Sequence, residues 1–72
     1  MTKYAVIPEG TDMAQVVDLT TGKHYDILEQ SNLNGLLSKG IRFFIIDDAG
    51  FELYCSEKEC ANLKGQNWEI QK

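Results

Sequence analysis

The chain has 72 residues, of which 43% are hydrophobic, 10% aromatic and 25% charged. That length makes one domain, spanning 1–72, with a thin core: only about 60% of the surface exposed by the unfolded chain is buried at this size. Eleven Asp and Glu against seven Lys and Arg leave a net charge of −4. This argues against the basic footprint from which nucleic-acid binders draw their affinity, and no apolar run nears the roughly 18 residues needed to span a membrane.

Lys3 to Ile7 reads as a strand, ended by Pro8, Glu9 and Gly10. Met1-Thr2-Lys3 and the short apolar stretch after it do not make a signal peptide, so the expected location is cytoplasmic. Ala14–Leu19 and His24–Leu28 read as a hairpin around Thr20-Thr21-Gly22, a sequence suited to a three-residue turn. That register sets Val17 opposite Tyr25 and Asp18 opposite His24.

Ser31–Lys39 reads as a short helix, with Ser31 as N-cap, Leu33, Leu36 and Leu37 on one face and Gly40 after its end. Ile41–Asp47 holds the run Phe43-Phe44-Ile45-Ile46, the pattern of a central strand covered on both faces. Asp48-Ala49-Gly50 can turn the chain, and Phe51–Cys55 then returns antiparallel, with Phe43 facing Cys55, Phe44 facing Tyr54 and Ile45 facing Leu53. Ser56-Glu57-Lys58-Glu59 has the form of a capping box and predicts a second helix, Ser56–Lys64. Asn67–Gln71 is a final strand, which has the first strand as a possible partner. The expected fold is therefore α+β: a mostly antiparallel sheet of five or six strands with two short helices, in the order β-ββ-α-ββ-α-β. A small barrel is the other architecture these elements allow.

Cys55 and Cys60 are the two cysteines. Flanking a capping box, they fall at the two positions of a hydrophobic staple, where buried cysteine packs as a small apolar residue. A reactive thiol, favoured by a helix N-terminus, and a disulfide formed on oxidation are the other readings. Structural zinc needs more ligands than these two and the distant His24, so no metal is expected. His24 reads as a solvent-facing partner of Asp18. Asp47 and Asp48 start a turn, where Asp side chains bond the local backbone, and they also offer an acidic surface. No nucleophile, phosphate-loop or dinucleotide motif is present, so no enzyme activity and no cofactor are expected.

Phe44, Ile46, Glu52 and Tyr54 share one face of the second hairpin, and Phe43, Ile45, Phe51 and Leu53 share the other. Two short helices cannot cover both faces, which leaves Phe44, Ile46, Glu52 and Tyr54 as a candidate docking face. The expected function is a non-catalytic protein-binding module, a small regulator or inhibitor of a cytosolic protein, with a homodimer as one way to cover the face. The alternatives are a nucleic-acid binder that stacks bases on aromatic strand faces and an acidic inhibitor that mimics DNA.

Overall fold

The computed structural model describes residues 3–31 and 40–71. Strand β1 (Tyr4–Val6) runs between β2 (His24–Asp26) and β6 (Glu69–Gln71), antiparallel to both. Ala5 lies opposite Tyr25 on one side and Ile70 on the other. The first strand thus does pair with the last. A second sheet has β4 (Arg42–Ile46) at its centre, with β3 (Glu29–Ser31) and β5 (Glu52–Ser56) at its edges. The β4–β5 register has the expected pairs: Phe43 with Cys55, Phe44 with Tyr54, Ile45 with Leu53.

The sheets meet at a corner. Ile27 N–H donates to Lys3 O in the first sheet at 3.2 Å, and Leu28 N–H to Phe44 O in the second at 2.9 Å. One extended stretch of chain thus passes from sheet to sheet, as at the corners of packed sheets. Between the sheets lie Ala5, Ile7, Tyr25, Phe43, Ile45, Cys55, Cys60, Leu63 and Trp68, all buried. Trp68 joins the two layers, its indole meeting Tyr25 edge-on at 5.9 Å and Phe43 at 5.7 Å.

This is not the expected α+β fold. Among the described residues there is no α-helix, only a 3-10 turn at Ala61–Leu63, and none of their helical structure is long and apolar enough to cross a membrane. The first predicted helix falls on residues 32–39, outside those described; its proposed cap, Ser31, ends β3 opposite Arg42.

The second predicted helix, Ser56–Lys64, is absent because tertiary partners claim its backbone groups. Ser56 stays in β5 and its Oγ donates to Lys58 O at 3.1 Å, so it caps nothing. Glu59 N–H goes to Asn67 Oδ1 at 3.0 Å, Glu57 N–H to Ile41 O at 2.9 Å and Trp68 N–H to Glu57 O at 2.8 Å. Glu59 takes a left-handed φ of 51°, and Lys64 at 59° ends the turn. A helix of nine residues has little stability of its own with which to resist such partners.

The first hairpin is also absent. Gln15 and Asp18 sit at φ 68° and 58°, which breaks the extended run from Ala14 to Leu19. β1 takes its place beside β2, and its Ala5 and Val6 are both buried, as is Ile7 after it. Val17 is left exposed, and His24 faces Val6 rather than Asp18. The β4 run is covered on one face only: Phe43 and Ile45 are buried, Ile46 is exposed and Phe44 is half-buried. Phe51, expected on the core side, stands 70% exposed at the hairpin end.

Candidate functional site

Strand alternation places Arg42, Phe44 and Ile46 of β4 on one side of the second sheet, with Glu52, Tyr54 and Ser56 of β5 opposite them. The four residues singled out as a docking face are therefore together on the side away from the core. The Phe44 and Tyr54 rings lie 4.8 Å apart at a 48° tilt. Tyr54 is 48% exposed and Ile46 43%. Glu29 of β3 lies across from Phe44, and Glu52 across from Ile46. An apolar strip with carboxylates at its margin results. The edge of β5 beside it is partly closed, since Asn62 Nδ2 donates to Tyr54 O at 2.7 Å. Such cover blunts pairing with a stray strand.

The acidic residues of the turn have a different use. Asp47 Oδ1 accepts from Ala49 N–H at 3.0 Å and Phe51 N–H at 2.9 Å, which shapes the reversal. Asp48 accepts from Lys23 Nζ at 2.6 Å, Thr20 Oγ1 at 2.7 Å and Tyr25 Oη at 2.9 Å. These donors, Lys23 foremost, hold its carboxyl down at about 2, and Asp48 in turn raises Lys23. Both carboxylates are thus engaged within the chain. His24 packs edge-on to Tyr4 at 5.4 Å, with its Nε2 3.0 Å from Gln71 Oε1.

Cys55 ends the core side of β5 and Cys60 opens the 3-10 turn. Both are free and buried, 2% and 1% exposed. They meet as buried thiols, but the helix start that a staple requires is not there. The Cys60 pKa is lowered, by Cys55 foremost and then by the Ser56 backbone, the Trp68 indole and the Asn62 backbone. Its neighbour Cys60, with burial, raises Cys55. Cys60 is the first of the two to lose its proton.

A cleft of about 220 Å³ opens beside them, lined among others by Arg42, Tyr54, Glu59 and Asn62. Asn62 Nδ2 reaches Cys55 Sγ at 3.7 Å as well as Tyr54 O. Two buried donors, Arg42 Nε and Trp68 Nε1, have no hydrogen-bond partner of good geometry. A neutral donor left so costs about 1–3 kcal/mol. Among the described residues no group of three or more His, Cys, Asp and Glu side chains is arranged to hold a metal ion.

Spacing in the sequence pointed to the docking residues and the two thiols, but gave no sign of Asn62, Arg42 or Trp68 around them. Those three come from separate segments, joined only by the sheet packing. No family model, no curated protein and no solved structure matches this chain.

Proposed function

We propose that this is a non-catalytic protein-binding module, a small cytosolic regulator, whose docking face is the outer side of β4 and β5. The reading rests on the strip formed by half-buried Phe44 with exposed Ile46 and Tyr54. Apolar residues side by side on the solvent face of an otherwise complete two-sheet core are what a partner would cover. Aromatic residues are also enriched at the centres of interfaces. The partner that fits has an apolar centre and a basic margin, to meet Glu29 and Glu52 on a chain of net charge −4. A standard interface takes about 800 Å² from each partner, roughly a sixth of the 4689 Å² surface here, so the strip would form its centre and the flanking polar residues its rim.

The test is paired affinity capture from nuclease-treated lysate, with the native sequence and with an Ile46→Asp/Tyr54→Asp double variant whose fold is checked by circular dichroism. A protein held stoichiometrically by the first and lost by the folded second supports the reading. The same proteins recovered by both would place binding elsewhere. Retention that disappears with nuclease would favour nucleic acid, and a concentration-dependent dimer abolished by the variant would make the partner a second copy.

A further inference from the structure

We propose that Cys55 and Cys60 are a peroxide-reactive dithiol that closes reversibly to a disulfide within the chain. The two cysteines are separated by four residues, yet the chain between them reverses, and Glu59 adopts φ 51° without being glycine. Backbone in sparsely populated regions persists where the surroundings enforce it, and it gathers at working sites. Here its effect is to return Cys60 to the side of Cys55 inside the core, where both line the same cleft.

The cleft admits a small reagent. At about 220 Å³ it has room for a few molecules of the size of water, each occupying about 30 Å³ in the liquid. Hydrogen peroxide is of that size, and a reagent that small suits sulfurs only 1–2% exposed. The polar groups around the sulfurs suit the same chemistry. The Trp68 indole N–H is buried without a hydrogen-bond partner, and Trp68 is among the groups that lower the Cys60 pKa. Arg42, the chain's one arginine, also lines the cleft, and its buried Nε has no hydrogen-bond partner. Hydrogen-bond donors and positive charge beside a sulfur favour its thiolate. Of the pair, Cys60 is the one favoured to lose its proton.

The reaction takes two steps. The Cys60 thiolate attacks one oxygen of hydrogen peroxide and breaks the O–O bond. Cys60 becomes a sulfenic acid, and the departing hydroxide takes up the proton that the Cys60 thiol gave up, to leave as water. The Cys55 thiol, losing its proton, then attacks the Cys60 sulfur and displaces the hydroxyl, which leaves as a second water. In sum, two thiols and one peroxide give one disulfide and two waters. Two electrons pass from the protein to the peroxide, and an external dithiol reverses the change.

The test treats the folded wild-type chain with hydrogen peroxide. After a catalase quench, the protein is unfolded, its free thiols are alkylated and its intact mass is measured. The expected product is monomeric, two hydrogens lighter, without alkyl groups, and returned to a doubly alkylated chain by prior dithiothreitol. Full alkylation of both cysteines after exposure would overturn the proposal, as would disulfides formed only between chains. The same reaction run in urea separates the folded site from ordinary thiols. Oxidation about tenfold faster in the folded chain supports a built site, and equal rates overturn it. Cys55→Ser is expected to stop at a dimedone-trapped sulfenic acid on Cys60, and Cys60→Ser to lose rapid oxidation altogether. Should either variant fail to fold, the native-to-urea rate ratio still decides.

Discussion

Tyr25 Oη donates a 2.9 Å hydrogen bond to Asp48 Oδ1, joining β2 of one sheet to the turn that follows β4 in the other. The same hydroxyl accepts Thr20 N–H at 2.8 Å. Burial, foremost, raises the Tyr25 pKa and keeps the phenol a donor. Tyr25→Phe leaves the ring contact with Trp68 in place but leaves Thr20 N–H and Asp48 each one partner short. The expected loss is about 1–2 kcal/mol in urea denaturation; no change in midpoint would mean that this bond does not hold the sheets together.

Asp48 also predicts a response to acid. Its carboxyl titrates at about 2 when folded, against an ordinary 3.8, with Lys23 as the main cause. Between these values the unfolded chain binds more protons than the folded one, so stability rises with pH. The contribution is complete above about pH 4 and is lost as pH falls toward 2. Asp12, lowered by the Ala14 backbone and Lys64, acts in the same direction. Melting temperatures of wild type and Asp48→Asn should differ near neutral pH and converge toward pH 2. Parallel curves over that range would exclude the Asp48 contribution.

Ser56 and Asn62 distinguish the observed loop from a capped helix. Ser56 Oγ bonds only Lys58 O, at the surface, so Ser56→Ala should alter stability by less than about 0.5 kcal/mol. A helix cap would lose about 1 kcal/mol. Asn62→Ala strips the edge carbonyl of Tyr54 and the Cys55 sulfur of a donor, and should lose about 1 kcal/mol. Chemical denaturation of the two variants side by side decides, and the reverse ranking would restore the helix.

The two faces of β4 should respond in opposite ways to mutation. Phe43 is fully buried beneath Trp68, and Phe43→Ala should lose about 3–5 kcal/mol. For 72 residues the whole stability is on the order of 4–11 kcal/mol, so this one change removes a large share of it. Ile46→Asp, on the outer face, should stay folded with a thermal midpoint near that of wild type. Collapse of the Ile46 variant would show that the outer face is needed for the fold itself rather than free for a partner.

The β4–β5 hairpin could be read from the residues because its information is local. Turn residues Asp48-Ala49-Gly50 stand between two runs whose alternation tolerates a single register, and a slip of one position would turn Phe43 and Ile45 outward. The candidate docking face followed from that alternation alone. The partnership of the first and last strands, by contrast, was legible only as a possibility. Tertiary packing decided the rest. Ala14–Leu19 has the pattern of a strand, but β1 offered β2 a neighbour that buries more apolar surface. Ser56–Glu59 has the pattern of a helix start, but Ile41, Asn67 and Trp68 supplied partners for the same backbone groups from a distance. Weak local preferences, each worth at most about 1 kcal/mol per residue, yield to such long-range bonds and burial. The dithiol cleft is of the same kind: the sequence by itself names its two sulfurs, and the meeting of the two sheets brings Arg42, Asn62 and Trp68 around them.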